Sequence, residues 1–448
     1  MRLKLCQKKR TKRQKAIIRR RIFLSACALA LALTIALVVF IVKSVKTAVD
    51  KPLESSSISE VSSEEPKEPY IVSSATVVNT GDIMVHSPQL TGAYRSDTAT
   101  YDFSDFFKHA AEYFKSADLA VGNLEVTFGG TEAGSYSGYP AFNTPDSLAD
   151  AIKNAGFTTL LTANNHSYDT GLYGMKRTLE VLEEKGIPYT GTRLSTDNPP
   201  YLLKEVNGIN IGMTAFTYEN TNENTPSGRK SLNGNIIAAD ANNLINSFSY
   251  NNLEVFYQNA QSYIDGMNKD GADCIVFYMH WGEEYQLTAN TWQKTIAQKL
   301  CNMGVDIIIG GHPHVIQPME LLYSEDSENT TVCIYSLGNA VSNQRQELMA
   351  PECTTGHTED GLLFYYTLDK YSDGTTVLSD INIIPTWVNK YSGGGGYLYT
   401  IYPLETKDAG SAKYGLSGSA ATKSAASFDR TMATLTEGYN QCKQALTQ

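Results

Sequence analysis

Short apolar runs alternate with amphipathic stretches along most of this chain. Ala75–Thr80, Asp118–Gly122, Thr158–Thr162, Ile187–Thr190, Ile209–Phe216, Ala272–Met279, Val305–Ile309 and Thr331–Leu337 have the length and β-branched content of buried strands. Between them, Phe103–Lys115, Pro145–Ala155, Leu172–Lys185, Asn251–Asn268 and Trp292–Asn302 place apolar residues three and four apart, which predicts helices. Gly186 and Gly304 stand where helix stops belong. Repeated strand–helix alternation predicts an α/β protein with helices packed on the sheet faces. Leu362–Leu368 and Thr375–Ile384, with turn signals between them, predict antiparallel strands in a mixed or second sheet. Gly393–Gly396 reads as a glycine loop, Thr406–Lys423 as a Gly/Ser/Ala-rich connection and Phe428–Leu446 as a terminal helix.

The N-terminus follows another pattern. Ile22–Val42 is a run of 21 residues without charge, long enough for a hydrocarbon core of about 30 Å. Eleven Lys/Arg precede it in Met1–Arg21, and Lys43 and Lys46 follow. A cleaved signal peptide would have an apolar region of about 7–15 residues and a small-residue cleavage site. This run is longer and ends Phe40-Ile41-Val42-Lys43. It predicts a single-pass signal anchor, with residues 1–21 as a basic cytoplasmic tail and the body extracellular. Residues 43–74, rich in Ser, Glu and Pro, read as a linker that cannot bury a core. The main domain is then expected over 75–405, with residues 406–448 as a C-terminal linker and helix.

Charge sharpens that division. The formal net charge is −10, from 37 Lys+Arg against 47 Asp+Glu, but residues 1–46 hold 13 of the basic residues and none of the acidic ones. The rest therefore carries 24 basic against 47 acidic residues, a net of −23. A body of that sign argues against nucleic acid as a partner, since phosphate backbones need a basic footprint. The seven cysteines show no CxxC spacing, and Cys274, Cys301 and Cys333 lie in or beside apolar runs, so buried free thiols are the default reading.

Five polar clusters follow apolar strands: Gly81-Asp82-Ile83-Met84-Val85-His86, Gly122-Asn123-Leu124-Glu125, Ala163-Asn164-Asn165-His166-Ser167-Tyr168-Asp169, His280-Trp281-Gly282-Glu283-Glu284 and Gly311-His312-Pro313-His314. Open α/β sheets bind ligands outside the carboxyl ends of their strands, so these clusters are expected to share one crevice. Five of the seven histidines fall in them; His109 and His357 do not. Taken singly, Asp82 reads as turn punctuation, Glu125 as a helix-start carboxylate, and Asn165 and His166 as turn and cap residues. Taken together, carboxylate, imidazole and Asn carbonyl donors suit Mn, Fe or Zn and predict a divalent transition-metal centre, with two ions as the expected number. His86, Asn123, Asn164, Asp169 and Glu283 are further candidates, as ligands or as groups that orient them.

The segments GDIMVH, GNLE, ANNHSYDTG, HWGEEY, GGHPHVIQP and YSLGN, in this order, resemble the CapA family of bacterial capsule-synthesis proteins, over about Ala75–Asn343. That family is associated with poly-γ-glutamate capsules and belongs to the calcineurin-like metallophosphatase superfamily. The resemblance implies a four-layer α/β/β/α sandwich with a dinuclear metal site. It implies metal ligands at Asp82, Glu125, Asn165, His280, His312 and His314, and a proton donor or oxyanion partner at His166. It implies as partners the capsule polymer or its synthase and export complex. Two motifs depart from the superfamily: Met84 stands where Asp-x-His has its histidine, and Gly-Asn-Leu-Glu replaces Gly-Asp-x-x-Asp.

Three functions fit these expectations. The chain is a membrane-anchored capsule-polymer factor, an extracellular metal-dependent phosphoesterase or amide hydrolase, or a non-catalytic polymer-binding scaffold.

Overall fold

The strands that run as unbroken apolar stretches are those covered on both faces. In the computed structural model, which describes residues 68–446 apart from 221–224, 227 and 394, the first strand, β1 (Ile71–Ile83), begins exposed and is buried on both faces from Val77 onward. The basic tail, the expected membrane anchor at 22–42 and most of the expected linker lie outside the described residues. Among the described residues no helix is long and apolar enough to cross a membrane. β1 starts inside the stretch read as linker, because Ser73 and Ser74 already pair with Lys370 and Asp369 across an antiparallel ladder.

Three short strands follow β1 in the same sheet: β2 (Leu119–Leu124), β3 (Thr159–Leu161) and β4 (Tyr189–Thr190). A second group comprises β5 (Leu202–Val206), β6 (Ile209–Tyr218), β7 (Ser247–Phe248), β8 (Cys274–His280), β9 (Ile307–Gly311), β10 (Ile316–Tyr323) and β11 (Thr330–Leu337). The chain then returns to the first sheet through β12 (Asn339–Val341), β13 (Asp360–Tyr371), β14 (Thr376–Gly393) and β15 (Gly396–Pro403). The first sheet has the order β15-β14-β13-β1-β2-β3-β4, with β12 also on β1; the second has the order β7-β6-β8-β9-β11-β10, with β5 also on β6. β1 to β4 are mutually parallel, as are β7, β6, β8, β9 and β11. The protein is a mixed α/β fold, and each sheet sends a set of carboxyl ends in one direction.

Side-chain alternation divides the core. Val77 and Val121 from the first sheet meet Met213, Val276, Ile309 and Ile334 from the second in one apolar cluster. The opposite face of the first sheet, at Val78 and Leu160, packs on Leu148 and Ile152 of helix α1 (Ser147–Ala155) and Leu182 of α2 (Gly171–Lys185). The opposite face of the second sheet, at Ile275 and Phe277, packs on Phe256 and Ile264 of α3 (Leu253–Lys269) and Ile296 and Leu300 of α4 (Thr291–Asn302). Phe277 is fully buried, and truncating such a side chain to Ala costs about 3–5 kcal/mol.

Some elements differ from the sequence expectation. The helix expected over Phe103–Lys115 is two short ones, Ser104–Phe107 and Ala111–Lys115. The chain turns between them and sets the His109 ring 4.7 Å from Tyr402 and 4.8 Å from Tyr414. Gly393 and Gly396, the ends of the expected glycine loop, pair with each other across the β14–β15 hairpin. The terminal helix α5 (Gly418–Ala445) begins ten residues before Phe428, because its Ala-rich start favours helix despite the small polar residues. Leu435 and Cys442 of α5 reach the cluster between the sheets. A Cβ on Gly438 would sit 1.8 Å from the Met319 carbonyl oxygen, so only glycine lets helix and β10 approach this closely. The five cysteines described are all buried free thiols.

Candidate metal centre

Each sequence cluster stands at the carboxyl end of a parallel strand. Asp82 closes β1, where the pairing register shifts between Thr80 and Asp82, and it lies beside Asn123 of β2 and Asn339 of β12. Glu125 follows β2, Asn164 to His166 follow β3, His280 ends β8, and His312 and His314 follow β9. Glycine permits close approach at these strand ends, within the second sheet and between the sheets. A Cβ on Gly310 would lie 1.8 Å from the Tyr335 carbonyl oxygen, and one on Gly311 would lie 2.8 Å from Asp82 Oδ1. His312 and His314 adopt left-handed backbone, at φ 92° and 56°. Such conformations cost about 1–3 kcal/mol each in non-glycine residues and persist where the surroundings enforce them.

The side chains converge in one buried set. Asn123 Nδ2 donates to Asp82 Oδ1 at 2.7 Å and lies 3.4 Å from His280 Nδ1. Asp82 Oδ2 accepts from the His312 backbone N–H at 3.1 Å and lies 3.2 Å from His314 Nδ1. His280 Nε2 is 2.8 Å from Asn165 Oδ1. Asn164 Nδ2 donates to Asn123 Oδ1 at 3.1 Å and to the Leu124 carbonyl at 2.8 Å, so it orients the set from behind. Glu125 is fully buried, and neither of its carboxylate oxygens has a hydrogen-bond partner. His280 Nε2 at 3.4 Å and His314 Nε2 at 3.9 Å approach Glu125 Oε1 closely enough to share charge but not as hydrogen-bond donors. His312 Nδ1 is buried and likewise unpartnered.

A buried carboxylate without donors costs several kcal/mol unless a cation answers it. Three groups of donors here can hold a metal ion: Glu125 with His280 and His312; Asp82 with Glu125 and His314; and Glu284 with His312 and His314, their ligand atoms within 4.8 Å of one another in each group. Glu125 belongs to two of them, the arrangement of a carboxylate shared between two ions. The residues present therefore fit a transition-metal centre of nitrogen and oxygen donors.

Electrostatics follow the same lines. Burial alone would raise the Asp82 carboxyl, but the His314 bond and the fields of His280 and His314 hold it below its ordinary value. Burial opposes protonation of His314, yet the Glu125 charge and the Asp82 bond push it up to about 9. Burial, reinforced by its histidine neighbours, pushes His312 well down.

The remaining candidates stand at the edge of this set. His166 Nδ1 is 2.7 Å from Asp169 Oδ2, and both side chains are buried. Asp169 is held in turn by the Phe142 backbone N–H at 2.7 Å and by Asn233 Nδ2 at 3.2 Å. His86 belongs to none of the three donor groups: its Nδ1 faces Gln89 Oε1 at 3.2 Å and the Asn343 backbone N–H at 3.3 Å. The Phe142 ring stands between the His86 and His166 rings, 5.3 Å from one and 4.7 Å from the other. Met84 is buried in the cluster beneath the helices of the first sheet, not in the crevice. Glu283 is exposed and outside all three groups, while its neighbour Glu284 is inside one.

Other residues of the centre were not singled out in sequence. Asn339 Oδ1 lies 3.1 Å from His314 Nδ1, and its place in the Tyr-Ser-Leu-Gly-Asn segment was the signal available. The Tyr218 ring lies 4.6 Å from His312, on a strand whose apolar pattern gave no hint of a site.

The sequence model described as "Bacterial capsule synthesis protein PGA_cap" matches residues 76–344. The "PGA biosynthesis protein CapA" of Bacillus subtilis (strain 168) is 28% identical over 313 residues, 68% of this chain and 70% of that one. The "Capsule biosynthesis protein CapA" of Bacillus anthracis is 28% identical over 309 residues, 68% of this chain and 66% of that one. An uncharacterized protein, y4sH of Sinorhizobium fredii (strain NBRC 101917 / NGR234), is 31% identical over 127 residues, 27% of this chain and 25% of that one.

Proposed function

Because this chain belongs to the PGA_cap family of bacterial capsule synthesis proteins, we propose that it acts in the synthesis, export or attachment of a poly-γ-glutamate capsule, as a membrane-anchored extracytoplasmic protein with a divalent metal centre. The observation that carries the metal reading is Glu125, fully buried with two unpartnered oxygens beside His280, His312 and His314. Asp82, Glu125 and His314 would hold one ion, and Glu125, Asn165, His280 and His312 the other, with Mn, Fe or Zn as the candidates. The location rests on the basic, apolar and acidic segments of the sequence. The layering of helices, two sheets and helices supports the four-layer metallophosphatase-like reading of the fold.

The His166–Asp169 pair favours hydrolysis within that role. Bound in the crevice, such ions supply Lewis-acid polarisation of a carbonyl or phosphoryl oxygen. Asp169 accepts from His166 Nδ1 and fixes the ring, which leaves Nε2 as the atom able to hand a proton to a leaving group. Phe142 covers the imidazole on one side and limits water there. The substrate on this reading is an amide or a phosphoester, with the capsule polymer as the physiological source of the amide.

Replacement of the chromosomal gene by a His280→Ala, His312→Ala variant tests the proposal. Surface poly-γ-glutamate should fall to the level of the gene deletion while the amount of the protein in the membrane is retained. Polymer unchanged in the deletion strain refutes the capsule role. Polymer lost in the deletion but intact in the double variant leaves a binding scaffold, and removes the metal from the function.

A further inference from the structure

The donors in the crevice are unequally shared between the two ion positions. Around Glu125, His280 and His312, the Asn165 carbonyl supplies a fourth group, 2.8 Å from His280 Nε2. The set of Asp82, Glu125 and His314 has three charged or imidazole donors, and the nearby Asn339 side-chain carbonyl is turned to His314 Nδ1 at 3.1 Å. Met84, two residues beyond Asp82, is turned into the apolar core, and His86 is engaged by Gln89 and Asn343. Four ligands complete a tetrahedral transition-metal site. Three leave it open on one side.

Glu284 faces the crevice from its exposed rim, with an oxygen within 4.8 Å of ligand nitrogens of both His312 and His314. Its backbone is fastened there. The Trp281 N–H donates to the Gly311 carbonyl at 3.2 Å, the Gly282 N–H to the Tyr250 hydroxyl at 2.9 Å, and the Tyr285 N–H to the Pro313 carbonyl at 2.8 Å. The last bond ties the loop to the residue between the two histidines. Among the described residues Glu284 meets no Lys or Arg, and its side-chain hydrogen-bond partner is the adjacent Tyr285 hydroxyl. Below it, His312 Nδ1 and both Glu125 oxygens are buried without partners.

We propose that Glu284 is the outer ligand of the ion position formed by Asp82, Glu125 and His314, closing it from the solvent side. This rests on the metal-centre reading above. The carboxylate replaces a donor that the end of β1 does not provide. Being exposed, it is also the ligand that an incoming carboxylate or phosphate oxygen would displace.

Mn²⁺ titration of the purified full chain, by calorimetry and by electron paramagnetic resonance, tests this. The wild-type chain should bind two Mn²⁺ ions in separable steps and show a spin-coupled signal. Glu284→Gln should leave one step unchanged and weaken the other by more than about a hundredfold, beyond the roughly 10–100-fold loss seen when only a group orienting a ligand is removed, and should abolish the coupled signal at limiting Mn²⁺. Glu284→Asp should fall between. Equal weakening of both steps would show a field effect and overturn the proposal, as would two unchanged steps. A wild-type chain that binds one Mn²⁺ overturns this inference and leaves the metal centre standing. One that binds none removes the metal reading, and this inference with it.

Discussion

Glu125 and Glu359 are both buried, and the chain treats them in opposite ways. Glu125 receives no hydrogen bond on either oxygen. Glu359 receives three: from Arg345 at 2.6 Å, from the Trp387 indole at 3.1 Å and from the Gln346 backbone N–H at 2.9 Å. Next to it, Asp360 takes two bonds of 2.7 Å from the Arg430 guanidinium. The second region is a polar knot between β13, β14 and α5 in which each carboxylate is answered by a guanidinium, although Arg345 Nε itself is buried without a partner. The first is a set of acceptors and imidazoles in which Glu125 meets no Lys or Arg and has only the His314 imidazolium and the His280 ring nearby. Burial alone therefore does not mark a site; a buried carboxylate without hydrogen-bond donors, among imidazoles, does.

The comparison can be broken most forcefully at the knot. Arg345→Met strands Glu359 and should cost about 3–5 kcal/mol, read as a lower urea midpoint that added Mn²⁺ does not restore. In the crevice the balance differs. Glu125→Gln relieves the burial of a carboxylate without hydrogen-bond donors but removes the charge that helps hold His314 protonated, so the metal-free chain should change far less than the Arg345→Met variant. The same variant should forfeit the gain from Mn²⁺, about 4 kcal/mol at a thousandfold excess over Kd. Equal Mn²⁺ stabilisation of wild type and variant would remove Glu125 from the ligand set.

A smaller effect is expected with pH. His314 titrates at about 9 in the folded chain against an ordinary value of 6.5. Its contribution is complete below pH 6.5 and is lost as pH rises through 9. Metal-free wild type should lose thermal stability across that window, His314→Gln should flatten the loss, and saturating Mn²⁺ should suppress it. The mildest test is Asn233→Ala, which removes one donor from Asp169 and should cost about 0.5–1.5 kcal/mol. A thermal melt unchanged within error would make that contact incidental.

Much of the crevice was legible in sequence because parallel strands deliver their ends to one side, so a polar cluster after each apolar run marks a position there. Parity was not legible. Glu283 and Glu284 are adjacent and chemically alike, and which one faces the histidines depends on the backbone bonds that Trp281, Gly282 and Tyr285 make to distant segments. Met84 and His86 show the same limit, since the irregular pairing around Asp82 changes which side chain points inward. Strands β5 and β10 were missed because they are edge strands whose burial is partial, which dilutes the two-residue period. The His109 ring at the break packs on Tyr402 and Tyr414, 293 and 305 positions away, and no local window contains them.

The crevice draws its donors from both sheets, Asp82, Glu125 and Asn165 from one, His280, His312 and His314 from the other. An ion held there is a reversible cross-link between segments some 230 positions apart, as the His312 to Asp82 contact measures. Cross-links across long loops act on the unfolded ensemble and on the rate of opening. A chelator should thus expose the interior to protease through faster breathing, even under conditions where the equilibrium population of folded chain barely moves.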